Sequence, residues 1–164
     1  MSLPRYDQIT ALPVTSKHVV GPEHLDVNGH MNIGHYFSFA SAAMWSRNGD
    51  LGMDGSYIPE RGMTTFTAEQ HLRYLGESVE SDRLSVYARV VDAGAKSLHL
   101  LAMLVNDTRE QLSCLMETLT VHVDYESRRP VAFPDDVAER IATAVKNDVT
   151  PWPLPLSGSL GVRR

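Results

Sequence analysis

What most constrains this chain is a change of hydrophobic period part-way along it. Between residues 33 and 47 the apolar positions Ile33, Tyr36, Phe37, Ala40 and Met44 follow the i, i+3, i+4, i+7 spacing of a helix that buries one face. From Met63 the period falls to two. Residues 63–75 are β-branched and aromatic enough for a long strand, and residues 84–90 alternate Leu, Val, Ala and Val with Ser, Tyr and Arg. Residues 97–105 and 112–125 continue the pattern, separated by Asp92-Ala93-Gly94 and Asn106-Asp107 turn signals. Connections this short predict an antiparallel meander. A single long helix among such strands must bury its stripe on the sheet, which predicts an α+β fold.

The ends of these segments carry their own signals. Asn32 stands at the N-cap position, and Asn48-Gly49-Asp50 is expected to end the helix. A short β-like run at residues 16–20 precedes a Gly21-Pro22 bend, and residues 135–146 form a short amphipathic helix after Pro134. Residues 1–14 read as an extended N-terminal arm, residues 15–147 as one domain, and residues 148–164, rich in Pro, Gly and Ser, as an irregular tail. A sheet wrapped around one helix leaves a face or edge for a second copy, so a homodimer or homotetramer is expected.

Bulk composition excludes several functions. With a net charge of −5 and a pI near 5.8 the chain lacks the clustered cations that phosphate backbones require, so no nucleic-acid partner is expected. Its one cysteine, Cys114, sits in an apolar alternating run, where a buried inert thiol is expected, and permits no internal disulfide. That usage fits a reducing, cytoplasmic setting. No apolar run approaches the roughly 20 residues that cross a bilayer, and the first residues lack a signal core, so no membrane association is expected.

The chemistry concentrates in EHLDVNGHMNIGHYFSFASAAM, residues 23–44. Asp26 lies seven residues before Ile33, with a turn at Asn28-Gly29 between them. A carboxylate so placed faces the start of a helix, where unpaired backbone N–H groups and the dipole favour developing negative charge. A thioester or ester carbonyl held there has its oxygen polarised, and Asp26 can attack the carbon or deprotonate a water that does. The spacing alone equally suits a plain turn followed by a capped helix. His30 and His35 lack both the HExxH pattern and a cysteine cluster, so no metal site is expected.

The run Asp26-Val27-Asn28-Gly29-His30-Met31-Asn32, with Tyr36 following, resembles the D-x-x-G-H-x-N-x-x-x-Y signature of hotdog-fold acyl-CoA thioesterases of the 4-hydroxybenzoyl-CoA thioesterase type. The likeness extends through TAEQHLRYLGE, AKSLHL and TLTVHVD, over about residues 15–143. It implies a hotdog fold, an antiparallel sheet wrapped around one long central helix. It further implies a thioester hydrolase in which Asp26 is nucleophile or general base and the Ile33 N–H polarises the carbonyl. Gly29 would allow close approach of backbone to substrate, and His30 and Asn32 would orient Asp26, the water or the thioester. Other branches of the fold place a glutamate on the central helix. This helix has none, which favours Asp26.

Two further carboxylates stand out. Glu69 is expected to share a strand face with Thr65, Thr67 and His71 and to line the pocket, whereas Glu117, among apolar residues, reads as a satisfied buried group. Within the family, the sequence looks most like the carnitine and betaine catabolism subgroup that hydrolyses betainyl-CoA. A trimethylammonium acyl group calls for aromatic faces and a carboxylate, for which Tyr36, Trp45, Tyr57, Phe66 and Glu69 are the candidates. Arg73, Lys96, Arg128 and Arg129 are eligible for CoA phosphates. No cofactor is expected beyond coenzyme A as part of the substrate. The rivals are a hotdog enoyl-CoA hydratase, whose Asp-x-Asn-Pro-x-His motif fits less well, and a non-catalytic acyl-binding protein.

Overall fold

The computed structural model describes residues 3–162. Asn32 accepts the Gly34 N–H on its side chain at 2.9 Å and so starts helix α2, Ile33–Asp50. The helix runs past the expected stop at Asn48. That side chain turns inward and is buried, so it packs as a helical residue instead of ending the helix. Strands β1 (Ser16–Val19), β2 (Met63–Tyr74), β3 (Arg83–Ala93), β4 (Ser97–Asn106) and β5 (Gln111–Asp124) form one antiparallel sheet, and α4 (Asp135–Asn147) follows them. A single turn of helix, α3 (Tyr57–Arg61), leads into β2.

Sheet order is β1-β3-β4-β5-β2. The expected meander holds for β3, β4 and β5 but not for β2, which pairs with β5 and not with its successor β3. The reason lies at the opposite edge. β1 occupies the free side of β3, with Ser16 opposite Val86, and leaves β2 the vacant side of β5. One consequence is that β2 forms a 12-residue edge strand.

The strand alternation sorts side chains onto two faces, and both are covered. Leu84, Val86, Ala88, Leu100, Ala102 and Met116 pack with Tyr36, Ala40, Ala43 and Met44 of α2 and with Val137 and Ile141 of α4. On the other face Tyr87, Leu101, Met103, Val105 and Leu115 pack with Ile9, Trp152, Leu154 and Leu156. The arm is therefore not extended: Tyr6–Thr10 form a helical turn (α1) that buries Ile9 completely. The described residues after Asp148 form no helix or strand, and their Trp and Leu side chains cover the outer face between prolines that hold the chain extended. Asp148 pins its start, accepting the Val90 N–H at 2.7 Å and an Arg47 Nη2 bond at 3.0 Å.

Cys114 is buried, and burial pushes its thiol up to about 12, consistent with an inert side chain. Glu117 is the satisfied buried carboxylate expected, meeting His99 Nε2 at 2.8 Å and the Ser157 N–H at 2.7 Å.

His122 links the core to pH. It is fully buried, its Nδ1 donates to the Val131 carbonyl at 2.9 Å, and its Nε2 accepts from the Tyr57 hydroxyl at 2.9 Å. Burial holds its imidazolium below the ordinary value of 6.5. Below about pH 6.5 the unfolded chain binds a proton here that the folded chain refuses, so stability falls with falling pH. A His122→Gln variant should show a shallower decline of melting temperature between about pH 6.5 and 5 than wild type.

Candidate active site

Residues 24–32 form a small hairpin docked against the start of α2. Leu25 bridges Met31, the Asp26 N–H donates to the His30 carbonyl at 2.8 Å, and the Asn32 N–H donates to the His24 carbonyl at 2.9 Å. At its tip the Asp26 carboxylate accepts the Asn28 N–H on Oδ1 at 2.8 Å, while the Gly29 N–H returns to the Asp26 carbonyl at 3.0 Å. Gly29 has φ of +76°, a conformation that side chains resist, so the turn itself demands glycine. A further bond, Met31 N–H to the Ser78 carbonyl at 2.8 Å, fixes the hairpin to the loop after β2. Asp26 is thus held on a rigid turn that leads through six residues into α2.

The start of α2 is capped incompletely. Gly34 N–H goes to the Asn32 side chain and His35 N–H to the Asn32 carbonyl at 3.0 Å. Among the described residues no acceptor engages the Ile33 N–H, and the Ile33 side chain is 63% exposed. An N–H without a partner at the positive end of an 18-residue helix, seven residues after a half-buried carboxylate on a fixed turn, is a place to polarise a carbonyl.

The supporting residues differ from expectation. His30 pairs with Glu77 at 3.1 Å, and Glu77 in turn meets Arg109 at 3.4 Å, so the imidazole braces the hairpin and makes no bond to Asp26. Asn32 spends its side-chain oxygen on the Gly34 N–H. His35 packs edge-on against His24 at 4.7 Å, away from His30's partner, so the two histidines do not converge. Tyr36, expected at the substrate, is buried and donates its hydroxyl to the Gly76 carbonyl at 3.2 Å. Tyr57 is likewise a core residue, tied to His122.

Glu69 and Phe66 lie elsewhere. A bulge between Thr67 and Glu69 inserts Ala68 and reverses the alternation of β2. Thr65 and Thr67 therefore face α2, while Glu69 lies on the outer face in a groove with Lys96, Leu119, Val121 and Ser159. Its expected face is corrected accordingly: only His71, which approaches Ser159 at 3.5 Å, accompanies it. Phe66 stacks under Arg128 at 5.4 Å, and Arg128 also lies 4.5 Å over Tyr125. Lys96 is turned to the Pro130 carbonyl at 3.1 Å. Within one chain the expected aromatic cage does not assemble, and Trp45, 59% exposed on α2, is the member left beside the sheet's inner face.

Residues 20–141 match the model of the thioesterase-like superfamily. The chain belongs to that family. Its fold is the hotdog, and its enzyme class is the thioester hydrolase expected from the motif. It is 29% identical over 145 residues to a betainyl-CoA thioesterase of Pseudomonas aeruginosa, covering 86% of this chain and 89% of that one. A bifunctional L-carnitine dehydrogenase/betainyl-CoA thioesterase of Agrobacterium fabrum is 29% identical over 139 residues, which are 85% of this chain but 28% of that longer protein. Among solved structures, a hypothetical protein from Staphylococcus aureus in complex with CoA superposes with a TM-score of 0.82 at 27% identity, over 93% of this chain and 97% of that one. No helix among the described residues of this thioesterase is long and apolar enough to cross a membrane.

Proposed function

We propose that this thioesterase hydrolyses betainyl-CoA to glycine betaine and free coenzyme A. The observation that carries the mechanism is the unengaged Ile33 N–H at the start of α2, next to the hairpin that holds Asp26. The thioester oxygen binds the Ile33 N–H, which together with the helix dipole stabilises the oxyanion. Asp26 Oδ2, the oxygen not taken by Asn28, receives a proton from water as the water attacks, or itself attacks the carbonyl carbon. The C–S bond then breaks and the thiolate leaves and is protonated; the acyl group departs as the acid, directly where water attacked, or after water hydrolyses the mixed anhydride and restores Asp26 where the carboxylate attacked. No cofactor enters this scheme, and coenzyme A takes part only as the substrate's carrier. The substrate is suggested by the P. aeruginosa relative, which is aligned over most of both chains.

Assembly as a homodimer is part of the same reading. Strand β2 offers a 12-residue unpaired edge, and α2 exposes Ile33, Phe37 and Trp45 along its length. Antiparallel pairing of two β2 edges about a two-fold axis covers both features. It also sets the two α2 helices in opposite directions, so the Ile33 end of one copy lies toward the Asn48 end of the other. A cytoplasmic setting is proposed with it.

An acyl-CoA panel tests the function. Free thiol should appear fastest, by kcat/KM, from betainyl-CoA, ahead of acetyl-, isobutyryl- and 4-hydroxybenzoyl-CoA. Loss of enoyl absorbance from crotonyl-CoA without thiol release would instead indicate a hydratase, and binding with neither would indicate an acyl carrier.

A further inference from the structure

Three consecutive residues in the loop between β2 and β3 each hold one bond from the two elements that carry the reacting groups. The Tyr36 hydroxyl of α2 donates to the Gly76 carbonyl at 3.2 Å, and His30 meets the Glu77 carboxylate at 3.1 Å. The Met31 N–H donates to the Ser78 carbonyl at 2.8 Å. His30 and Met31 lie on the return side of the hairpin, bonded across it to Asp26 and Leu25, and Tyr36 lies in α2 just after Ile33.

These bonds bear on the chemistry because Asp26 and the Ile33 N–H sit on different elements that meet at Asn32. A hairpin free to pivot about that joint would carry the carboxylate away from a carbonyl held at Ile33, and a displacement of about 1 Å can cost about a hundredfold in rate. Bonds to one fixed segment from both sides of the joint prevent the pivot.

What fixes the segment is the turn between β4 and β5. Asn106, fully buried at the end of β4, donates from Nδ2 to Asp82 at 2.7 Å and to Ser78 Oγ at 3.3 Å. Its Oδ1 accepts the Thr108 and Arg109 N–H groups, both at 3.1 Å. One amide thus uses both its ends to join the two loops, which a leucine of similar volume could not do. Asp82, also buried, closes the loop on itself by accepting the Val79 N–H at 2.9 Å. Arg109 spans the remaining gap, with Nε 3.2 Å from Asp82 and Nη1 3.4 Å from Glu77. An exposed pair such as His30 and Glu77 holds its side chains weakly when isolated. With Arg109 on the other oxygen of Glu77, the pair becomes the end of a chain anchored on a buried carboxylate.

We infer that Asn106 and Arg109 are positioning residues for thioester hydrolysis, acting through residues 76–78 on the hairpin and on the start of α2. None of their bonds is to Asp26. The inference rests on the roles proposed above for Asp26 and the Ile33 N–H.

Arg109 is the residue to change first, because it is partly exposed and Arg109→Met leaves the buried amide of Asn106 in place. In a 15N-labelled sample without substrate, the Gly29 and Met31 amide signals should shift or broaden, and that of Ile141 in α4 should not. On whichever acyl-CoA of the panel is cleaved fastest, kcat should fall about tenfold with KM within about twofold of wild type. Arg109→Lys, whose single ammonium cannot hold both carboxylates as the guanidinium does, should recover only part of the loss. Arg61→Met, which breaks the pair to Asp136 at 2.7 Å between α3 and α4, should lower the melting temperature comparably and leave kcat unchanged. Asn106→Ala should move the hairpin signals and kcat in the same direction as Arg109→Met, and if it does not fold the Arg109 series decides by itself. Unmoved Gly29 and Met31 signals overturn the inference alone. Moved signals with unchanged kcat overturn it together with the role given to Asp26. An equal fall of kcat in Arg61→Met also overturns it, since loss of stability would then account for both.

Discussion

Replacing Asp26 by Asn should lower kcat for betainyl-CoA about a thousandfold, within the range seen when a positioned acid or base is lost. The substitution is chosen because it leaves the turn intact. Asn retains the side-chain oxygen that accepts the Asn28 N–H at 2.8 Å, and the backbone bonds Asp26 N–H to His30 and Gly29 N–H to Asp26 do not involve the side chain. Melting temperature should therefore stay within a degree or two of wild type, since a partly exposed isosteric change costs about 0.5 kcal/mol or less. KM should change little, because the role proposed for Asp26 is at the carbonyl carbon and not in holding CoA. A variant with wild-type kcat would remove Asp26 from the chemistry altogether.

The second large effect is expected at a backbone atom. Ile33 is the first residue of α2, the position at which helices accept proline, because its N–H has no helical partner. Asn32 already has φ −59° and ψ 141°, the extended conformation that a following proline imposes. Ile33→Pro should thus fold normally while deleting the one N–H assigned to the oxyanion. Removing one such donor typically costs about 10²–10³ in kcat. Circular dichroism and thermal melting should be near wild type, separating loss of the donor from loss of the helix.

The course of the chain was largely readable because period is a local property. Five apolar residues at helical spacing located α2, and the four period-two runs located β2 to β5 within three residues of their ends. The Asp26 turn was readable too, since Asn28-Gly29 and the Asn32 cap act over a few residues. What escaped was set by distance along the chain. The partner of β2 depended on where β1 docks, and His30 found Glu77 in a loop well beyond the helix. Glu69 was assigned to the wrong face because a bulge at Ala68 breaks a two-residue period without any glycine or proline to announce it. Asn48 was read as a helix end from its Gly-Asp neighbours. Its burial against the sheet has no signature in the local sequence.

The aromatic residues show the same limit. Tyr36, Tyr57 and Phe66 have the composition of a cation-binding cage, but two are spent on core hydrogen bonds and one on Arg128. Composition counts such residues equally, whereas the fold leaves Trp45 exposed on α2 beside the sheet's inner face.

The measurement closest to the central claim compares Ile33→Ala with Ile33→Pro in the same thiol-release assay on betainyl-CoA. Both lose an exposed side chain, and only the proline loses the N–H. Ile33→Ala should retain kcat within a few-fold of wild type, and Ile33→Pro, equally folded, should fall by about a hundredfold or more. Equal rates from the two folded variants would contradict the account, because the backbone donor at the start of α2 would then take no part in breaking the thioester.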